Sequence, residues 1–237
     1  MKVRTSLIGL LVACGIGVWI IGTAAAQPAG PPAGYKIEEK YTKTSLDGAI
    51  TIEQYVNKDT DDWKFQFWVR WQGTFRLLDP EPADYPAGFL FTNDLKWIVR
   101  DQKIGSGEST LYLYRLDPHG FVPASKKPLG DLAWAYMKTR PDWRKIKKEP
   151  EYHINSSLLK GIAENYRWLG VDWPANRYLL ITLWGEADIK SRKPMQTSVV
   201  HDWRCRYDLQ TGKFDAPALF SDNNAKAVVP ELPGTPN

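Results

Sequence analysis

The stretch Gly105-Ser106-Gly107-Glu108-Ser109 joins small residues, hydroxyls and a carboxylate, the composition of a nucleophile turn or a phosphate loop. Its order is not G-x-S-x-G and no helical pattern follows it, so neither an activated serine nor a helix terminus for an anion is specified. Its glycines instead suit the positive φ of a hairpin loop. Arg100, Asp101, Lys103 and Glu108 gather charge around that loop, and Glu186, Asp188, Lys190, Arg192 and Lys193 do the same in a second one. Loops on a rigid β-scaffold are where binding side chains concentrate. Arg100, Asp101, Lys103, Glu108 and Glu186 are therefore the ligand-binding candidates, rimming a cleft if both loops emerge at one end.

Other chemistry is weakly specified. His119 falls in a turn, and His201 shares a strand face with Val199, Trp203, Cys205 and Tyr207, where packing is the expected role. With His153, these are all the histidines, and no pair has metal-ligand spacing. No metal and no cofactor is expected. Cys205 reads as a small buried hydrophobe. His201 and Cys205 stand roughly 13 Å apart along a strand, too far for a proton-transfer pair. Asp61, Asp62, Glu108 and Glu186 could supply paired carboxylates for glycoside hydrolysis, but their spacing favours no pair. Trp63 and Trp71 fall on an apolar strand face, whereas Trp68 falls on the polar face and reads as surface-available.

The elements that must position these residues are mostly strands. Tyr35–Thr44 and Ala49–Asn57 flank Ser45-Leu46-Asp47-Gly48, where Asp-Gly suits a hairpin turn. Residues 63–71 alternate apolar and polar side chains with the period of a half-buried strand. From Tyr85 to Phe121 the pattern runs strand, turn, strand, glycine-rich loop, strand, turn. Helical spacing at Leu132, Ala133, Tyr136 and Met137 predicts a helix over residues 131–139, which Arg140-Pro141 ends. A second short helix, capped by Asn155 or Ser156, is expected to run to Glu164. Arg144, Lys145, Lys147 and Lys148 form a short basic run that reads as a solvated face. Strand character returns at residues 166–171, 177–184 and 198–209, and residues 216–237 read as a loosely ordered tail.

Two segments are internally similar. Thr92-Asn93-Asp94-Leu95-Lys96-Trp97-Ile98-Val99 can be laid over Trp173-Pro174-Ala175-Asn176-Arg177-Tyr178-Leu179-Leu180. Tyr114–Phe121 likewise matches Arg206–Lys213, with Gly120 over Gly212. Together they resemble the turn-and-strand pattern of TolB-like and WD40-like propeller blades, over about a third of the chain. The stretch W-I-x-R-x-Q-K-x-G-S-G-E-S is also similar to uncharacterised exported proteins of environmental bacteria. The resemblance implies antiparallel sheets built from two blade-like units and brings no activity with it. A closed propeller is not expected from two such units.

The N-terminus bounds where the protein works. Lys2 and Arg4, the apolar run Leu7–Ile21 and the small residues Thr23–Ala26 have the order of a secretory signal peptide, followed by a linker at residues 27–34. Two alternatives stay open: lipidation at Cys14, or retention of residues 7–26 as an anchor. Removing residues 1–26 leaves 29 basic against 27 acidic residues, too balanced to imply a nucleic-acid partner. It also leaves Cys205 without a disulfide partner in the chain. The expected protein is mainly β, with antiparallel sheets from two blade-like units, a domain over residues 35–215 and a helical insert over about 128–164. It is expected in the periplasm or outside the cell as a non-catalytic binding protein for a protein or polymer ligand of the envelope. A glycan or peptidoglycan hydrolase and a membrane-tethered structural component are the alternatives.

Overall fold

The computed structural model describes residues 30–59, 61, 63–146, 148–159, 177–187 and 198–228. The leader, Cys14, Asp62, the strand expected at 166–171 and most of the second charged loop lie outside them. The protein is mainly β, built on two sheets. The first holds β1 (Tyr35–Ile37), β2 (Lys43–Thr44), β3 (Ile50–Asn57), β4 (Lys64–Trp71) and β5 (Thr74–Leu77). β1 and β2 form one interrupted edge beside β3, separated by a 3-10 turn at Glu39–Tyr41. β3 alternates buried and half-buried residues along its whole length, the signature of a strand with one face on a core.

The second sheet contains β6 (Ala87–Phe91), β7 (Trp97–Gly105), β8 (Glu108–Asp117), β9 (Gly120–Pro123), β10 (Tyr152–Leu158), β11 (Tyr178–Glu186), β12 (Ser198–Asp208) and β13 (Lys213–Asp215). β6–β9 and β10–β13 are two antiparallel meanders, fused where β10 runs parallel to β8 with Asn155 opposite Ser109. β1–β5 make a third such meander, one more than the sequence pattern suggested. No closed barrel forms among the described residues.

Turn chemistry links the first two meanders. In Ser45–Ile50, Ser45 Oγ donates to Asp47 Oδ1, while the Ile50 and Ala49 amides donate to Ser45 and Asp47. In Thr92–Trp97 the same three bonds recur, from Thr92 Oγ1 to Asp94 Oδ1 and from the Trp97 and Lys96 amides. Each side chain replaces a backbone partner inside a tight turn.

The first sheet packs face to face on β6–β8 through Ile50, Ile52, Phe67, Phe89, Ile98 and Tyr114. Polar groups also cross this interface. Gln54, fully buried, gives its amide to the Ala87 carbonyl at 2.7 Å and accepts the Ala87 N–H at 3.0 Å. The opposite face of β7 and β8 joins a second core with β11, β12 and α1 (Leu129–Lys138). Gly130 lets α1 lie on the β8–β10 seam, because a Cβ there would overlap the Ser156 and Thr110 hydroxyls.

Several expectations need correction. The insert is helical at α1 and at a 3-10 turn over Pro141–Lys145, but Asn155 and Ser156 belong to strand β10, not to a helix cap. Its backbone is taken up by pairing with β11, which local propensity does not register. The supposed tail is part of the fold through Val228: a 3-10 turn at Ala218–Phe220 leads into α2 (Ser221–Ala227). Asn224 there accepts the Arg204 N–H and donates to the Arg204 carbonyl, both at 2.8 Å, capping β12 as a strand would. Trp68 is fully buried under Phe75, stacked at 5.0 Å, whereas Trp63 is 51% exposed just before β4. His201 points outward beside Trp184, since a bulge around Asp202 at φ 60° shifts the alternation. Cys205 is fully buried.

Candidate functional site

β7 and β8 are joined by the two residues Ser106 and Gly107, with Gly105 opposite Glu108. Gly107 adopts φ 72°, and a Cβ there would stand 2.6 Å from Cδ2 of His153. Glycine is thus required twice at this position, by conformation and by space. His153 itself adopts φ 50°, a left-handed conformation that non-glycine residues rarely hold without compensation. It stands in the irregularity between Tyr152 and Asn155 where β10 enters the sheet. Its Nδ1 lies 3.2 Å from Glu186 Oε2. That contact turns the Nδ1 edge of the ring toward the carboxylate.

Asn155 completes the junction. Its amide donates to the Gly107 carbonyl at 2.5 Å and to the His153 carbonyl at 2.9 Å, while its Oδ1 accepts from Ser109 Oγ at 2.9 Å. The Glu151 N–H donates to the Glu186 carbonyl at 2.7 Å. The Gly105 hairpin and the end of β11 therefore emerge at the same end of the sheet, with His153 and Asn155 between them.

Two cavities flank this end. The first, about 170 Å³, lies where the segment Asp79–Asp84 crosses β7 and β8. Arg100 enters it almost wholly buried, its guanidinium 3.8 Å from the Tyr112 ring centre and its Nη1 3.3 Å from Asp79 Oδ2. Tyr114 donates its hydroxyl to the same Asp79 oxygen at 2.9 Å. Burial drives the Tyr114 phenol well above its ordinary value, with Arg100 opposing that shift and Asp79 reinforcing it. The second cavity, about 300 Å³, is lined by Trp134, Trp143, Pro150 and Ile154, with the Lys138–Glu149 ion pair and Asp131 beside them. Burial raises the Asp131 carboxyl above its usual range, against the pull of Lys127.

The predicted residues separate accordingly. Glu108 and Glu186 stand half-buried at the common end. Lys103 is exposed near it, with Nζ 4.5 Å from the Tyr85 ring centre. Asp101 is half-buried, one residue along β7 from Arg100 and so on the opposite face. Arg100 is not a loop residue: strand alternation carries it inward with Ile98, between the two sheets. His153, Asn155, Tyr112 and the two tryptophans were missed as site residues. Their partners lie far away in the chain, and the visible signal was a histidine followed by a strand-prone polar run. Among the described residues, no group of three or more His, Cys, Asp or Glu side chains could hold a metal ion. No described helix is long and apolar enough to cross a membrane.

No family model matches the chain, and no curated protein matches it. Among solved structures it is similar to one named "AtxE2 Isopeptidase - APO", at 10% identity and a TM-score of 0.36. The match covers 79% of this chain and 30% of that one, so the chain spans under a third of that protein's length. A likeness at that score establishes neither a shared fold nor a shared activity.

Proposed function

We propose that this chain is an exported, non-catalytic binding protein of the cell envelope, gripping an extended ligand at the end where the Gly105 hairpin, the start of β10 and the end of β11 come together. The observation that carries this reading is the junction itself. Gly107, His153, Asn155 and Glu186, drawn from three strand ends, are locked by direct contacts in a conformation that is strained at His153. Strain held at a rigid surface between two cavities supports a preorganised contact site. The charged, apolar and small-residue order of residues 2–26 supports export. The congruent Ser45 and Thr92 turns support a blade-like ancestry for the meanders.

The test is a thermal-shift screen of residues 27–237 against glycans, peptidoglycan fragments, peptides and lipids. A ligand at a hundred times its Kd stabilises a fold by about 2.7 kcal/mol, and the shift should vanish in His153→Ala. A screen without hits is followed by photo-crosslinking in the envelope from position 153. Absence of any crosslinked product there would sink the binding reading.

One contact favours a second reading, a hydrolase. Glu186 orients His153 as a carboxylate orients a general base, and Glu108 begins the neighbouring strand. Turnover of a peptidoglycan or glycan substrate, abolished in both His153→Ala and Glu186→Gln, would replace the binding reading with this one.

A further inference from the structure

The positive charge of the chain is gathered in one layer of the fold. Residues 125–148 carry eight basic and two acidic side chains, a net of +6. Residues 27–237 as a whole carry 29 against 27, a net of +2, so the rest of that span stands at −4. The basic segment forms α1 and the 3-10 turn Pro141–Lys145. α1 buries Leu129, Gly130, Ala133 and Met137, and Trp143 and Ile146 pack against the same core. The charged side chains are thereby left on the outer side of this layer. Asp142 pairs with Lys145, Glu149 with Lys138 and Glu151 with Lys148. Lys126, Lys127, Arg140 and Arg144 enter no ion pair among the described residues. The first two and Arg144 are exposed, and half-buried Arg140 lies 5.6 Å from the Tyr136 ring centre. Asp131, the remaining acid of the layer, stands beside Lys127.

From this distribution we infer that the α1 layer is a docking face for an anionic bilayer surface. It goes beyond the ligand contact proposed at the junction and shares with it only the export expectation. Charge complementarity gives the sign of the partner: four cations without counter-ions attract a surface that carries anions. Their spacing gives its shape. Lys126 and Lys127 precede α1 and Arg140 and Arg144 follow it, so the two pairs are separated by a helix about 15 Å long. A single small anion reaches one pair at most, whereas an extended array of headgroup phosphates reaches both. Range matters too, because screening limits these attractions to about 8 Å at physiological ionic strength. A surface touching this layer therefore meets its cations, while the excess negative charge is carried by the rest of the chain. The apolar groups agree with a lipid interface. Half-buried Trp134 and Trp143 border an apolar recess in the same layer, with Lys138 at its edge and its Nζ 5.2 Å from the Trp143 ring centre. Indole rings beside lysine and arginine suit the headgroup level of a bilayer, where one end is apolar and the other wet.

The experiment is vesicle co-sedimentation of residues 27–237, which hold every described element and lack the apolar leader. Vesicles of phosphatidylglycerol and phosphatidylcholine in equal parts are compared with pure phosphatidylcholine, and soluble polyphosphate is the competitor. The protein should sediment with the anionic vesicles, remain in solution with the neutral ones and be released by high salt. The double variants Lys126→Gln/Lys127→Gln and Arg140→Gln/Arg144→Gln should each weaken binding at least fivefold, since one basic residue near such a surface changes partition by roughly that factor. Lys36→Gln/Lys43→Gln removes the same charge from exposed positions on the first sheet and should leave binding within about twofold of the parent. Should the Arg140/Arg144 variant be unstable, the Lys126/Lys127 variant decides alone. Absence of sedimentation, or equal sedimentation with neutral vesicles, overturns the inference. Equal losses in the Lys36/Lys43 variant trace binding to net charge and overturn the docking face. Polyphosphate that binds as tightly as the vesicles, with loss in the same variants, overturns the bilayer as partner in favour of a soluble anionic polymer. None of these outcomes bears on the contact site at His153.

Discussion

Replacing Gly107 by alanine tests the junction most directly, because the structure sets both parts of the cost. The backbone part comes from φ 72°, where an L-residue loses about 1–2 kcal/mol. The contact part comes from the new Cβ, which would stand 2.6 Å from His153 Cδ2 where carbon atoms prefer about 3.5–4.0 Å. The imidazole must retreat by about 1 Å, stretching its contact with Glu186 from 3.2 Å. Hydrogen bonds to charged groups contribute about 1.5–3 kcal/mol. The His153 side chain is 46% exposed, so a value of about 1–2 kcal/mol is appropriate after solvent screening. Gly107→Ala should then cost about 2–4 kcal/mol in total, or roughly 4–16 °C in Tm for a chain of this size. In a His153→Ala background the collision is gone and the backbone part alone remains. A urea-denaturation cycle followed by tryptophan fluorescence should therefore show a coupling of about 1–2 kcal/mol between the two positions. Additivity within about 0.5 kcal/mol would refute the close approach of hairpin and histidine, and with it the geometry of the proposed site.

Three further outcomes follow from the fold. Gln54→Leu removes both bonds to Ala87 and the 2.9 Å bond to the Tyr41 carbonyl, leaving a buried N–H unpaired. Calorimetry should show a loss of about 3–5 kcal/mol, and a loss below about 1 kcal/mol would mean that the inter-sheet amide clamp contributes little. Tyr55 is pushed up to about 12, chiefly by burial and then by its bond to Glu53, and burial holds Tyr114 well above 10.0. Because the unfolded chain releases these protons first, both contributions are complete below pH 10.0, and that of Tyr55 declines through about pH 12. Alkaline melts should decline less steeply in Tyr55→Phe, and identical slopes would contradict the assignment. Burial also raises the Cys205 thiol far above its ordinary value, so a thiol reagent should react in denaturant and not with the native protein. Rapid native labelling would show that β12 opens readily.

Much of the strand framework is legible in the chain because its causes are local. The alternation along β3 and the Ser45–Asp47 and Thr92–Asp94 turns depend on residues at most five positions apart. Periodicity and turn chemistry register forces of that range. The Gly105 hairpin was readable for the same reason: Gly107 takes the positive φ expected of the turn, although Gly105 ends β7 without it. Errors arose wherever another element decided the outcome. Trp63 and Trp68 differ in exposure because Phe75 of β5 covers one and the sheet ends before the other. Asn155 and Ser156 are strand rather than helix because β11 supplies their hydrogen bonds. Arg100 is a cavity residue because the Asp79 segment folds over β7 and brings it a counter-charge from 21 positions away in the chain. The junction at His153 depends on Asn155 reaching Gly107 across 48 positions and on Glu186 arriving from the next strand. Local patterning thus specified strands, turns and loop chemistry. Only packing decided which loops share an end and which charges lose their water, because desolvation and long-range pairing exist only once distant segments touch.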